Sequence, residues 1–206
     1  VGGDLNDPLT IGRSRTKSVL LSDTLGVLDD TLLFTVGARY QEVVARNYFP
    51  ATGIQKYDQS QNKSRWLPTY GVVYKPSKEI SLYANHTQAL QPQASSITGG
   101  AKYDSRMNIA HSTQYEAGVK VDFGNLGGTM SVFEIKKPYV YSDLSLDGEQ
   151  RNRGVELNMF GEPVLGLRLN GGATWVNAEL TKTEDPANKG NDAIGVPNFT
   201  AVLGAE

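Results

Sequence analysis

His86 and His111 are the two histidines of this 206-residue chain, and it has no cysteine. A protein metal centre needs three or four ligands at characteristic spacings. The histidines lie too far apart to form a recognised ligand motif, and no thiolate completes one. A serine hydrolase could pair His86 with a serine on a neighbouring strand, but no strained nucleophile turn or third partner accompanies it. Gly99-Gly100 and Gly171-Gly172 lack a phosphate-loop pattern. Catalysis, a bound metal and a resident cofactor are therefore not expected. Ionic side chains appear instead at alternating positions inside apolar segments: Arg39, Glu116, Lys120, Glu156 and Arg168.

Those segments are strands. Leu32, Phe34, Val36, Ala38 and Tyr40 alternate with Thr35, Gly37, Arg39 and Gln41. Further on, Tyr115, Ala117, Val119, Val121 and Phe123 alternate with Gln114, Glu116, Gly118, Lys120 and Asp122. A period of two puts each set on its own face of a sheet, whereas a helix would scatter both around its circumference. Weaker strands are expected over 15–27, 64–74, 79–90, 128–139, 150–160 and 165–180, with another from about Pro197. The count is about nine.

The connections alternate in length. Short turns are expected at Leu28-Asp29-Asp30, Pro76-Ser77-Lys78, 124–127 and Glu162-Pro163-Val164. Longer polar loops fall at 47–63, 91–112, 142–149 and 181–195. Short turns at one end and long loops at the other are the asymmetry of outer-membrane barrels, whose strands are about ten residues long. No stretch approaches the ~18 apolar residues of a spanning helix, but alternation cancels in any hydropathy average, so a barrel escapes that test. The net charge of −2 gives no reason to expect a nucleic-acid partner.

Open edges facing lipid leave backbone groups unpaired, so nine strands are not expected to span a membrane alone. Ionic groups on the inner face suit a wide barrel with water or a polar plug inside, and the 22-stranded transporters are of that kind. Val1-Gly2-Gly3-Asp4 is not a signal sequence, and the chain stops within a strand-like segment. The expectation is an all-β, antiparallel, up-and-down transmembrane β-barrel, with residues 1–206 forming about nine strands of a larger, 22-stranded one.

Several segments resemble one family in order and spacing. Gly37-Ala38-Arg39-Tyr40 is similar to the "G-x-R-Y" strand of TonB-dependent siderophore receptors. The run from Pro68 to Pro76 resembles their proline-led strand ending in a "y-k-P" turn, and Ile80 to Thr87 their "slYasys" strand. Gln114 to Lys120 resembles "q-x-E-x-G-x-K", Asn152 to Leu157 resembles "x-r-G-v-E-l", and Gly195 to Asn198 echoes the proline before a late strand. The family's plug domain, TonB box and C-terminal aromatic are not in this stretch.

The resemblance implies an outer-membrane transporter, not an enzyme, that takes up a ferric siderophore with energy from the TonB complex acting through the plug. Lipid and lipopolysaccharide would surround it. The same wall could instead serve haem, cobalamin or an oligosaccharide, or belong to a small barrel enzyme or adhesin. The transported chelate would meet aromatic faces and donors on the external loops, for which Tyr48, Tyr57, Trp66, Tyr103 and Arg106 are the candidates. Arg39, Glu116, Lys120, Glu156 and Arg168 would line the lumen. Tyr74, Tyr83, Tyr139 and Trp175 would form the interfacial girdle, while Gly37, Gly118 and Gly154 would mark close backbone approaches.

Overall fold

The structure, a computed structural model, describes residues 10, 12–48, 54–92, 109–139 and 148–206, with the side chains of 47, 55–61, 92 and 139 excepted. Nine strands follow one another: β1 (Gly12–Val27), β2 (Leu32–Tyr48), β3 (Gln55–Tyr74), β4 (Ile80–Pro92), β5 (Ile109–Asp122), β6 (Leu126–Tyr139), β7 (Gly148–Val164), β8 (Leu167–Lys182) and β9 (Phe199–Ala205). They form one sheet in sequence order, each antiparallel to the next. Among the described residues no α-helix interrupts it, and a single 3-10 turn lies at Pro186–Asn188.

The connection lengths alternate as the sequence predicts. β1–β2, β3–β4, β5–β6 and β7–β8 are joined by tight turns at one end. The first is unusual: Leu28, Asp29 and Asp30 all have positive φ (55°, 53° and 61°), and Thr31 N–H closes the turn on Leu28 O at 3.1 Å. Aspartate tolerates the left-handed region better than most residues; leucine does so at a cost. The β7–β8 turn lies at Leu165-Gly166, later than Glu162–Val164, because a register shift between Gly161 and Val164 carries β7 onward. The segment expected as a loop over 47–63 is mostly strand, with β2 reaching Tyr48 and β3 beginning at Gln55.

Directly paired residues share a face, so the registers assign every strand. One face carries Val19, Leu21 and Leu25 of β1, Phe34, Val36 and Tyr40 of β2, and Trp66, Tyr70 and Val72 of β3. It continues through Leu82 of β4, Val119 of β5, Met130 and Val132 of β6, Leu157 of β7 and Trp175 of β8 to Phe199 and Leu203 of β9. These side chains are exposed or half-exposed: Leu21 is 79% exposed, Leu203 75% and Trp175 63%. An apolar surface of this extent is stable only against another apolar medium. Lipid is such a medium, and an apolar face continuous over neighbouring strands is what a membrane barrel turns toward it.

The aromatics mark the tilt. Tyr40 and Trp66 meet with ring centroids 5.3 Å apart, and Trp175 and Phe199 at 4.6 Å. Traced through the registers, the Trp175 row meets β3 at Val72, six residues nearer the short-turn end than Trp66. Six residues are about 20 Å along the strands, and the six strand spacings between the two ring pairs about 29 Å across. If both pairs lie at one membrane surface, the strands tilt by about 35°, within the range of outer-membrane barrels. On β5 the apolar positions run from Tyr115 to Phe123, which at this tilt gives a belt about 22 Å tall. Among the described residues, Asp23 and His86 are the acidic and basic side chains on its outer face. Asp23 accepts the Thr24 N–H at 2.8 Å, and His86 lies between the rings of Tyr70 and Tyr115 (5.9 and 4.5 Å).

Fully buried apolar residues gather at the long-connection end, in two small clusters. β3 and β4 pair only between Tyr70–Tyr74 and Leu82–His86. Beyond that point the β4–β5 hairpin leans over the inner face of β2 and β3. Val43, Leu67, Leu90 and Ile109 pack there. Gln41 fastens the contact from both sides, donating to Leu90 O (2.8 Å) and accepting from Leu90 N–H (3.2 Å). The second cluster, Ala178, Leu180 and Ala193, forms where the connection after β8 turns back along it. Ala193 N–H bonds Ala178 O at 2.8 Å and Val176 N–H bonds Asn198 O at 2.9 Å.

Candidate functional site

The opposite face is polar, and its centre lies on β4 to β8. Glu116 projects there from β5, paired in register with Asn85 and Phe133. The Tyr83 hydroxyl donates to its Oε1 at 2.6 Å and the Gln114 amide to its Oε2 at 3.0 Å. Glu156 projects from β7 opposite Ser131 and Thr174, and its Oε1 accepts from Asn158 Nδ2 at 2.7 Å. Both carboxylates are thus held by neutral donors. No ion pair among the described residues includes either of them.

Glycines make this face what it is. A Cβ on Gly118 would come within 2.9 Å of the Tyr83 ring, and one on Gly154 within 2.5 Å of the Phe133 ring. Gly37 is confined in the same way by Ser22 Cβ (2.8 Å) and Thr69 Cγ2 (3.0 Å). The close approaches expected at these three glycines are therefore present, and two are filled by a ring from the adjoining strand. This is the arrangement in which a cross-strand aromatic covers a bare backbone. Tyr83 is consequently a lumen residue and not part of the girdle: β4 alternation puts it opposite Gly118 and Val73, on the Glu116 face.

The register sets four of the five ionic residues expected in the lumen on this polar face. Arg39 pairs with Leu20 and Leu67, Lys120 with Ser81 and Thr129, and Glu116 and Glu156 as above. Arg168, two residues from Asn170 on the inner face, sits at the short-turn end, 4.0 Å from Glu162. The loop candidates fare differently. Trp66 is in β3 on the apolar outer face, against Tyr40, because Arg39–Leu67 and Tyr40–Trp66 are successive pairs pointing opposite ways. Tyr48 ends β2 at the long-connection end and is half-buried. Tyr57 lies in β3, with its side chain outside the described residues, and Tyr103 and Arg106 fall outside them altogether. The girdle is represented by Tyr74 and Trp175 on the outer face; the side chain of Tyr139 is outside the described residues.

Sequence reasoning missed Phe133 and Gln114 as parts of the inner site. Alternation with Val132 and Tyr115 was available as the signal. It also missed the inward lean of the β4–β5 hairpin. There His111 Nε2 lies 3.0 Å from Gln88 Oε1, with Lys63 Nζ donating to Ile109 O at 3.4 Å. Burial, with Arg65 and Lys63 adding repulsion, lowers the His111 pKa from its usual value. Among the described residues, no group of acidic, histidine or cysteine side chains is arranged to hold a metal ion.

Comparison with known proteins agrees with this geometry. Residues 2–206 match the model of the "TonB dependent receptor-like, beta-barrel" family. The ferrichrome receptor FcuA of Yersinia enterocolitica is 42% identical over the whole chain, which spans 28% of that receptor. The metal-pseudopaline receptor CntO of Pseudomonas aeruginosa is 32% identical over 69% of the chain, which corresponds to 21% of that protein. Among solved structures, the ferric preacinetobactin receptor BauA from Acinetobacter baumannii superposes with a TM-score of 0.70 at 34% identity. That match covers 94% of this chain and 30% of BauA. The chain thus spans less than a third of these relatives. With nine antiparallel strands in sequence order, an exposed apolar face and a family match along almost its whole length, the chain belongs to the TonB-dependent receptors, as a stretch of their outer-membrane barrel.

Proposed function

We propose that this chain is the wall and external-loop portion of a receptor that captures a ferric siderophore outside the cell and admits it through the barrel. The energy would come from the TonB complex acting on a plug inside the barrel. The observation that carries the reading is the inner face: two carboxylates, Glu116 and Glu156, fixed by Tyr83, Gln114 and Asn158 and not paired with a cation among the described residues. A charge taken out of water is costly unless it is paired as well as hydrogen-bonded. Carboxylates oriented by neutral donors are ready for cations supplied by another element, which the plug provides in this reading. Lys120 and Arg39 extend the same polar surface.

The cargo is inferred from relatives named for a ferrichrome receptor and a ferric preacinetobactin receptor. Tyr48, Tyr57, Tyr103 and Arg106 remain the proposed contacts to the chelate. The protein is proposed to be no enzyme, to need no resident cofactor, and to handle iron only as cargo. A second cargo class has one observation in its favour, the metal-pseudopaline receptor among the relatives. Growth of a deletion strain on single iron sources separates the two. Loss of growth on ferrichrome, restored by the gene, supports a siderophore. Normal growth on every ferric siderophore, with loss on another metal chelate, overturns it. Glu116→Gln with Glu156→Gln should leave siderophore binding at the surface intact while lowering uptake.

A further inference from the structure

Three of the acids that face outward have a cation beside them on the neighbouring strand. Glu42 of β2 is 4.0 Å from Arg15 of β1, Glu134 of β6 is 2.6 Å from Arg153 of β7, and Glu179 of β8 pairs with Arg151 of β7. The last two are direct cross-strand partners in the register. Opposite charges placed across a ladder in this way stabilise it. All three pairs lie toward the long-connection end, above the apolar belt.

Asp23 is the exception, and it lies where a partner matters most. It faces outward on β1, four residues below Val19 at the top of the belt and four above Val27 at the turn. That puts it near the middle of the belt. The outward residues around it are apolar: Leu21 and Leu25 on its own strand, and Phe34, Val36 and Ala38 on β2. No ion pair among the described residues includes it. β1 is an edge of the sheet, so its second side is open.

The carboxylate is turned to that side. Lys75 N–H bonds Thr31 O, and alternate residues of an antiparallel ladder direct their backbone groups to the same neighbour. Thr35 therefore points to β3, Val36 and Asp23 point to each other, and Thr24 N–H points out of the free edge. Asp23 Oδ1 accepts that N–H at 2.8 Å, its one hydrogen bond among the described residues. In a closed barrel an adjoining strand takes the Thr24 N–H, and the carboxylate then loses its donor. The residue across the edge from Asp23 meets it as a non-hydrogen-bonded pair, the type in which side chains stand closest.

We infer that Asp23 forms an ion pair within the hydrocarbon belt, with a basic side chain on the receptor strand that closes the barrel against β1. A carboxylate facing lipid is stable only when paired and hydrogen-bonded, and an arginine or lysine across this edge supplies both. The inference rests on the outward face lying in the membrane and is independent of the cargo.

The test uses the intact receptor that carries this chain, unfolded and refolded by denaturant in lipid vesicles. Asp23→Leu should lower the folding equilibrium constant by about a hundredfold or more, the usual result of stranding one member of a buried ion pair. An acid with no partner gives the opposite sign, because leucine suits hydrocarbon better than a carboxyl group. Asp23→Asn can still accept the Thr24 N–H and should lose about tenfold, from the lost charge-assisted bond. Asp23→Glu should keep most of the stability. If the leucine variant does not assemble, the asparagine variant and infrared difference spectra decide the matter. The spectra should show an ionised carboxylate in the unaltered protein that Asp23→Asn removes. The loss of stability should be the same at every receptor-to-lipid ratio. Raised stability in Asp23→Leu, unchanged stability in Asp23→Asn, a neutral carboxylic acid in the spectra, or a loss that depends on receptor density each overturns the inference. Failure of growth on siderophores would bear on the cargo and leave this result standing.

Discussion

The two faces of this sheet are made from the same strands and differ by one residue of phase. On β5, Tyr115, Ala117, Val119 and Val121 face outward, and Gln114, Glu116, Gly118 and Lys120 face inward. The outer side carries its apolar groups exposed and has no protein core beneath them. Its inner side organises carboxylates, amides and phenols by hydrogen bonds and closes its glycines with rings. The contrast shows how a membrane wall inverts the usual arrangement. Burial in lipid replaces burial in a core, so the polar face can be left for a partner inside. Each of the following changes tests one side of that contrast.

The largest effect should come from putting charge on the outer face. Val119→Arg is expected to cost about 2–4 kcal/mol of unfolding free energy in lipid vesicles. Thr174→Arg, inward on β8 opposite Glu156, should cost less than about 1 kcal/mol; similar costs at both positions would break the comparison. Next, Gly154→Val pushes a side chain into the Phe133 ring and should cost about 1–3 kcal/mol by overpacking. Pairing it with Phe133→Ala should recover part of that loss, a coupling that a double-mutant cycle measures. Trp66→Ala follows. It removes an outer-face ring and should lower stability by about 1 kcal/mol, with siderophore affinity unchanged, whereas a fall in affinity would return Trp66 to the ligand site.

The smallest effects are pH-dependent. Because the folded His111 pKa lies below 6.5, the unfolded hairpin takes up a proton first as pH falls. Docking of the β4–β5 hairpin should therefore be fully supported above pH 6.5 and weaken below it, read as faster hydrogen exchange at the Leu90 amide. Glu134 runs the other way. Its hydrogen bond with Arg153 lowers its pKa below 4.5, so its contribution is present above that pH and lost as pH falls further. Being at the exposed rim it should amount to less than about 1 kcal/mol, and Glu134→Gln should show the same small change at neutral pH.

How much of this was legible in the sequence depended on where each residue lies relative to the membrane. Within the belt, alternation is enforced by two different media, so the strand positions and the inward side of Arg39, Glu116, Lys120 and Glu156 could be read directly. Above it both faces meet water and polar groups, the alternation fades, and the continuation of β2 to Tyr48 and of β3 back to Gln55 looked like loop. Aromatics were ambiguous for a different reason. A tyrosine near a strand end can belong to the girdle or cover a glycine inside, and only the pairing of Tyr83 with Gly118 decides it. The inward lean of β4–β5 has no local signature, since Gln41 and Leu90 are far apart in sequence and meet through tertiary packing.

The most direct test of the wall is a nitroxide scan of residues 114–122 in the intact receptor, in lipid bilayers, with single cysteines introduced in turn. The structure predicts a period of two: high accessibility to oxygen at 115, 117, 119 and 121, and low oxygen accessibility with contact to water or polar groups at 114, 116, 118, 120 and 122. An accessibility profile without alternation, or one with the phase reversed, would contradict the assignment of these faces.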